Sequence, residues 1–333
     1  MSNNIQTVGS EEEFKILGKP WTYQVERLGP ILACILFAVI VGVIEPRFIH
    51  HRNIINILYQ SATYMILAVG MTFVITGAGI DISVGSQLAL TGILMIFAVQ
   101  ALPGALAWLG ILIAPLAGVV LGTINGLFIT KLRVPDFIAT IATMIAFRGI
   151  VLILAGGQVH YRFPSAIVFL GSYRVFGIIP ISIFVAFIIG VIGYYVYKNT
   201  YFGRYIVAIG GNKESAILAG INVNKYKIMS YAVMGFLAGV AALITIGRLD
   251  AFHATYGEHM EIDAIAAVII GGTSLFGGYG RIWGSVFGAL LMSMVVNGAV
   301  ILGFPYFYQY VLVGLVILIA VAIYRFLENR RAN

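Results

Sequence analysis

The stretch Lys198–Lys227, KNTYFGRYIVAIGGNKESAILAGINVNKYK, lies between two long apolar halves of the chain. It carries five lysine or arginine side chains against a single acid, Glu214. A polar connection of this length is either a solvated linker or an element on which another molecule docks. The residues on either side of it favour the docking element.

The composition places the chain in the membrane. It has 333 residues, of which 60% are hydrophobic and only 10% are charged. A soluble domain carries roughly 25% charged residues, so the class is a polytopic membrane protein in the lipid bilayer. The net charge of +7 is then interpreted by its location along the chain and not as a sign of nucleic-acid binding. The single Cys34 excludes a disulfide within the chain and a cysteine-based metal site.

Apolar runs predict an all-α protein with about ten transmembrane helices. The second, third and eighth runs contain glycines and polar residues, so one or more of them is expected to be a broken or re-entrant helix. The predicted spans are Leu28–Ile44, Ile54–Thr76, Ser83–Leu102, Leu106–Thr130, Pro135–Ala155, Ile179–Tyr197, Ile228–Gly247, Ile262–Phe276, Trp283–Leu302 and Tyr306–Phe326.

The lysines and arginines of the connections predict the orientation. Most of them, including all five of the Lys198–Lys227 stretch, fall inside if the N-terminus is cytoplasmic. The expected organisation is a cytoplasmic tail over 1–27, without a cleavable signal, a single transmembrane domain over 28–326, and a cytoplasmic tail over 327–333. The outer connections hold five arginines: Arg47, Arg52, Arg162, Arg174 and Arg248.

A short internal repeat indicates two related halves. A glycine, a leucine and a Pro-x-Phe triplet recur at one fixed offset, and the orientation makes the repeat inverted, with halves of about 54–155 and 228–326. The long polar stretch 198–227 would then join the halves. The matching positions are Gly118, Leu121 and Pro135–Phe137 in the first half, and Gly288, Leu291 and Pro305–Phe307 in the second.

Three polar features lie at or near membrane depth. The stretch 77–86, GAGIDISVGS, is either a tight turn capped by Ser83 or Asp81 or a broken helix along a polar path. The stretch 268–280, VIIGGTSLFGGYG, predicts a kinked or half-spanning helix and lacks the Lys-Ser/Thr ending of a phosphate-binding loop. Arg148 either reaches the outer surface or faces protein or water.

The polar side chains of the spans favour a neutral solute. They are mostly Ser, Thr, Asn and Gln, with no chain of buried carboxylates of the kind a proton-driven pump uses. Two rival interpretations remain: a stand-alone secondary transporter or channel, and an integral-membrane enzyme, for which no acid–base or metal cluster is evident. The residues predicted at or next to the solute route are Asp81, Ser83, Ser86, Asn125, Thr140, Thr143, Thr273 and Ser274.

Four stretches resemble a known family. The chain is similar to the transmembrane permease subunit of bacterial ABC importers for monosaccharides, of the ribose, galactose and xylose type. Branched-chain amino-acid permeases of the same superfamily are the nearest competitor, but the extended stretch from Gly79 is more like the sugar branch. The stretches are 79–86, 125–126 with 142–149, 200–222 and 263–278.

The resemblance implies a permease dimer (of identical or similar chains), two cytoplasmic ATP-binding subunits and a periplasmic sugar-binding protein, in the bacterial inner membrane. ATP would be used by the partner subunits, with no cofactor on this chain. A short helix between Gly210-Gly211 and Gly220 would move as a rigid piece between flexible ends. The implied coupling residues are Gly211, Asn212, Glu214, Ala216, Ile217, Leu218 and Gly220. The outer residues expected to meet the binding protein are Arg162, Arg174, Asp250 and Glu258. The sugar itself is not specified by the sequence.

Overall fold

The computed structural model describes residues 15–16, 19–102, 106–161 and 163–332. Most of these residues are helical, which confirms the all-α class. The helices are α1 (Trp21–Ile44), α2 (His51–Thr76), α3 (Val84–Ala101), α4 (Ala107–Gly110), α5 (Ile113–Thr130), α6 (Asp136–Ala155), α7 (Ser165–Ser172), α8 (Ile181–Asn199), α9 (Tyr201–Gly211), α10 (Lys213–Leu218), α11 (Val223–Leu249), α12 (Met260–Ile270), α13 (Ile282–Ile301) and α14 (Tyr306–Ala332), with a 3-10 turn at Pro46–Ile49.

Short strands lie in the loops between the helices and before α1. They form three antiparallel pairs, in which β1 joins β2, β3 joins β6 and β4 joins β5. The pair of β3 and β6 ties the connection before α7 to the segment that follows α11. The strands are β1 (Lys15–Ile16), β2 (Lys19–Pro20), β3 (His160–Tyr161), β4 (Arg174–Val175), β5 (Ile179–Pro180) and β6 (Ala251–Phe252).

Seven of the described helical segments are long and apolar enough to cross a membrane. They are α2, α3, the run Trp108–Thr130 that includes α5, α6, α8, α11 and α13. Two shorter apolar segments, Leu28–Ile44 and Tyr306–Val316, lie in α1 and α14. The chain is therefore a multi-pass membrane protein, and the predicted count of about ten spans is larger than the seven that meet these criteria.

The predicted eighth span is wrong in its length. It was expected over Ile262–Phe276, but α12 ends at Ile270 after eleven residues. Gly272, Gly277 and Gly278 have φ angles of 81°, 86° and 76°. L-residues with side chains rarely adopt such angles, so these glycines turn the chain where the apolar composition alone would continue the helix.

The long helix α11 forms the centre of the molecule, with α2, α3, α5 and α7 around it. Its closest neighbour is α5, because glycines let the two backbones touch. A Cβ atom added to Gly118 would overlap the carbonyl group of Gly235, and one added to Gly122 would overlap that of Tyr231. In lipid, such close approach stabilises a helix pair through van der Waals contact.

Two segments outside the helices lie toward opposite ends of α11. One connects α2 to α3 over residues 77–83, and the other, which includes β6, connects α11 to α12 over residues 250–259. They lead to helix starts that meet, since a Cβ atom on Gly85 would overlap the carbonyl oxygen of Gly257 and lie 2.7 Å from Oε2 of Glu261. Both glycines are buried, as backbone outside helices must be where lipid surrounds a protein.

Candidate functional site

The central polar stretch folds into helices with sharp corners. The side chain of Asn212 accepts a hydrogen bond from the Ser215 amide at 2.7 Å and thereby caps α10. Asn222 caps α11 in the same way, accepting from the Lys225 amide at 3.0 Å. Gly220, with φ of 80°, ends α10 in the left-handed conformation. The stretch is therefore a rigid α9–α10–α11 corner, which we call the coupling corner, and not an extended linker.

The short helix α10 presents an apolar tip. Ala216 is buried against Ile209 and Val223 and anchors the helix. In contrast, Ile217 is 54% exposed and Leu218 is 88% exposed. Contiguous apolar side chains at such exposure mark an interaction surface more often than a solvated face.

Gly210 joins the coupling corner to the transmembrane helices. A Cβ atom at this position would overlap the carbonyl oxygen of Thr76 at the end of α2, and it would lie 2.6 Å from the amide nitrogen of Gly278. The Gly278 amide donates a hydrogen bond to the same Thr76 oxygen at 2.9 Å. Gly210 lies within α9, and its lack of a side chain permits this close backbone packing.

Four polar side chains form a buried network where residues 77–83 lead into α3. The Asp81 carboxylate accepts hydrogen bonds from the Ser83 hydroxyl at 2.6 Å and from the Gln87 amide at 2.9 Å. The Ser83 hydroxyl accepts from Asn125 of α5 at 2.7 Å. All four side chains are fully buried. Of the alternatives for this stretch, Asp81 does bond the Ser83 amide at 2.9 Å as in a tight turn, and the network also fastens the turn to α5.

A second group of contacts holds the same loop from the other side. The Tyr231 hydroxyl lies 2.9 Å from the Asp136 carboxylate and 3.1 Å from the carbonyl oxygen of Ile80. Lys227 forms an ion pair with Asp136 at 2.7 Å. Thr140 hydrogen-bonds the Asp136 carbonyl of its own helix at 2.9 Å. Sequence reasoning missed the partners Gln87, Tyr231 and Asp136, since none of them belongs to a recognisable motif.

The eight predicted route residues fall into two groups. Ser86 and Thr143 bond carbonyls of their own turns, at 2.7 and 3.2 Å, beside the network of Asp81. Thr273 lies apart, in the turn after α12, where its hydroxyl accepts from the Arg281 amide at 3.0 Å. Ser274 bonds through its backbone to Tyr279 in the same turn. All of these residues except Ser274 are buried.

Arg148 faces protein. Its guanidinium donates hydrogen bonds to the carbonyl oxygens of Ala254 at 2.6 Å and Tyr256 at 2.9 Å. Both carbonyls belong to the non-helical segment 250–259, so Arg148 supplies the hydrogen bonds that this segment lacks within itself. These partners belong to the connection predicted on the outer side, so the side chain extends toward that side and faces protein there.

The residues predicted to meet a binding protein lie at the far end of α11 from α10. This helix has 27 residues, which corresponds to about 40 Å. Arg174 and Glu258 are exposed there, and Phe176 at the adjacent hairpin tip is 91% exposed. Asp250 is exposed and also accepts a hydrogen bond from the Phe163 amide at 3.0 Å. Arg162 lies outside the described residues.

A family of known transport proteins matches this chain over most of its length. The family is described as the permease component of branched-chain amino acid transport systems, and it matches residues 53–321. The chain belongs to this permease family. The permease is accordingly a component of a transport system and not an enzyme, which removes the enzyme rival.

Individual relatives of the permease are sugar permeases. It is 43% identical over 305 residues to the ribose import permease protein of Haemophilus influenzae, covering 90% of this chain and 93% of the relative. It is 38% identical over 322 residues to that of Escherichia coli K12, covering 96% and 98%. It is 35% identical over 315 residues to the D-allose transport system permease protein of the same strain, covering 93% and 96%. The predicted resemblance to the sugar branch is confirmed. No solved structure matches the permease significantly.

Proposed function

We propose that the permease is the membrane subunit of an ATP-binding cassette importer that carries a monosaccharide across the bacterial inner membrane, with ribose as the first candidate. One observation carries this proposal: the similarity to ribose import permeases extends over 90% or more of the chain. The network of Ser, Asn and Gln side chains around Asp81 is consistent with it, because a neutral solute needs hydrogen-bonding groups more than charges.

The coupling corner is the proposed contact with a cytoplasmic ATP-binding subunit, which would use the ATP. Ile217 and Leu218 offer the apolar surface, and Glu214 is exposed beside them. Gly211, Asn212 and Gly220 shape the corner, while Ala216 anchors it from within. A displacement of α10 would pass through Gly210 to the end of α2 and to the turn between α12 and α13.

The remaining partners and the arrangement in the membrane are also proposals. Arg174, Asp250, Glu258 and Arg162 would meet a periplasmic sugar-binding protein in a salt-sensitive contact. Both termini would be cytoplasmic, and a second permease copy or a similar chain would complete a dimer. About ten crossings related by an inverted repeat are also proposed, because a glycine, a leucine and a Pro-x-Phe triplet recur at an offset of 170 positions.

The polar residues of the two groups are proposed to lie at or next to the solute route. Asp81, Ser83, Ser86, Asn125, Thr140 and Thr143 line the loop that leads into α3, and Thr273 and Ser274 lie in the turn after α12. The first group borders the loop before α3, which leads to the contact of Gly85 with Gly257. The second group lies in the turn that contacts Gly210 of the coupling corner. A movement of these segments would therefore change which polar groups are accessible.

The decisive experiment reconstitutes the permease in nanodiscs and in liposomes with the ATP-binding and binding-protein subunits encoded beside it. We expect ribose to stimulate ATP hydrolysis and to be taken up only when all subunits are present. Leucine serves as the competing solute. Stimulation by leucine alone would replace the sugar assignment with an amino-acid one. Uptake by the permease alone, driven by an ion gradient, would contradict the importer assignment.

Variants of the coupling corner test the docking surface. Ile217→Lys or Glu214→Lys places charge on the exposed side of α10, so the permease should still insert while ribose uptake per ATP hydrolysed falls. Ser215→Lys, on the same helix and also exposed, shows whether any added charge has this effect. Full uptake in both of the first two variants would refute docking at α10.

A further inference from the structure

A cavity of about 330 Å³ lies between α2, α12, α13 and α14, apart from the predicted route residues. Its walls include Tyr64, Asp263, Tyr306 and Tyr310. Its volume is near the lower end of the range for small-molecule sites, roughly 300–1,000 Å³. We propose that this cavity binds the transported solute as a neutral polyhydroxylated molecule on its way into the permease, an inference that rests on the proposed importer function.

The chemistry of the walls fits hydroxyl groups. Carboxylates accept strong hydrogen bonds from hydroxyl donors, and Glu258 and Asp263 supply two of them. Tyrosine hydroxyls both donate and accept, while their rings offer flat apolar faces to the C–H groups of a sugar ring. A pyranose or furanose presents these two kinds of surface together.

The side chains that line the cavity hold one another in place through direct contacts. The hydroxyls of Tyr306 and Tyr310 lie 2.5 Å apart on successive turns of α14. The ring of His259 meets the ring of Tyr310 edge-on, with centroids 5.4 Å apart and an interplanar angle of 77°. Tyr64 interacts with Asp263 across the cavity, and both side chains are partly buried. Side chains that are held in place lose less entropy when a ligand binds.

The charge of the cavity suits a neutral solute. Its described lining residues include the two carboxylates Glu258 and Asp263 and no lysine or arginine. A neutral sugar can donate hydrogen bonds to these carboxylates without bringing a carboxylate of its own that they would repel.

The position of the cavity fits import. Tyr64 precedes the end of α2 at Thr76 by twelve residues, about 18 Å along the helix, so the cavity lies away from the coupling corner. The helix α12 carries Asp263 in its first turn and ends at Ile270, just before the turn that contacts Gly210. Solute in the cavity and movement of the coupling corner would therefore act on the two ends of one short helix.

Protection from chemical labelling tests binding without the partner subunits. Gln309→Cys places a thiol on the cavity wall, and Phe176→Cys places one on the exposed hairpin tip as a control. The native Cys34 is buried and supplies the background. In nanodiscs, excess ribose should slow maleimide labelling at position 309 at least threefold and leave the labelling rate at position 176 unchanged. Excess leucine should change the labelling rate at neither position. Equal labelling rates with and without ribose would overturn the proposal.

Two cavity variants connect binding to transport. Asp263→Asn, added to Gln309→Cys, should abolish the protection by ribose, whereas Lys131→Ala, at an exposed position after α5, should preserve it. In the complete importer, Tyr310→Phe removes a single hydroxyl and should lower maximal ribose uptake at least tenfold. If the wild-type importer takes up ribose but this variant does so at the wild-type rate, the cavity assignment fails while the proposed function stands. If the wild-type importer takes up no ribose, the proposed function is contradicted instead, and the labelling experiment still tests whether ribose binds in the cavity.

Discussion

Replacing Gly210 with alanine should separate the coupling corner from the helices it contacts. A Cβ atom there would lie 2.6 Å from the Gly278 nitrogen, whereas ordinary contact begins at 3.4 Å. The two segments would therefore move apart by at least about 0.8 Å, which is 3.4 minus 2.6. The added Cβ atom would also overlap the carbonyl oxygen of Thr76, which accepts the hydrogen bond from the Gly278 amide.

The expected cost follows from two contributions. Overpacking of a close contact costs about 1–3 kcal/mol. Loss of the hydrogen bond from Gly278 to Thr76 adds about 0.5–1.5 kcal/mol. The sum is about 1.5–4.5 kcal/mol. Because about 1.4 kcal/mol corresponds to a factor of ten, it shifts the contact of Gly210 with Thr76 and Gly278 at least tenfold toward a separated state. Gly211→Ala is the matched control, since the nearest atom to its added Cβ lies 3.9 Å away and both changes replace a glycine of α9.

The assay is ribose uptake per ATP hydrolysed by the complete importer in liposomes. We expect Gly210→Ala to lower this ratio at least tenfold while the ATP-binding subunit still co-purifies, because the exposed tip of α10 is unchanged. Gly211→Ala should retain most of the uptake. If Gly210→Ala inserts at a normal level and keeps the wild-type ratio of ribose uptake to ATP hydrolysis, the contact at Gly210 does not transmit movement of the coupling corner.

Three further changes test other contacts. Leu218→Asp should weaken co-purification of the ATP-binding subunit at least tenfold without changing thermal stability in detergent, because the side chain is 88% exposed; unaltered affinity would contradict docking there. Asn125→Ala removes a partner of the buried Ser83 and should lower the free energy of unfolding by about 1–3 kcal/mol, measured by thermal or denaturant unfolding; an unchanged midpoint would show that the network is not structural. Arg148→Ala should raise hydrogen exchange at residues 254–256, since the carbonyls of Ala254 and Tyr256 lose their donor; unchanged exchange would show that the segment is held without it.

Local composition predicted much of the fold. The predicted ends at Thr76, Thr130 and Ala155 coincide with the ends of α2, α5 and α6. A bilayer requires about 20 consecutive apolar residues of a spanning helix, so such segments can be read from the chain itself. The caps of α10 and α11 are local in the same sense, because Asn212 and Asn222 bond amides three residues away.

Contacts between distant residues were not predictable in this way. The predicted span over 262–276 extended α12 too far, although the glycines of 268–280 indicated a kinked or half-spanning helix; the backbone conformation of these glycines places its end at Ile270. The partner of Arg148 lies 106 residues away, and the partner of Asp136 at Lys227 lies 91 residues away. Neither pair belongs to a motif, since the spacing of two residues in sequence does not specify their distance once helices cross.

The sequence by itself determined the membrane class, most of the spanning segments and the resemblance to sugar permeases. Each of these depends on a property of a continuous stretch: its hydropathy, charge or motif. The tertiary structure alone decided that Gly210 is a packing contact, that Arg148 holds the segment before α12, and that Asp263 and Tyr310 share a cavity. These features require several elements to meet, and their geometry arises only when the helices pack against one another.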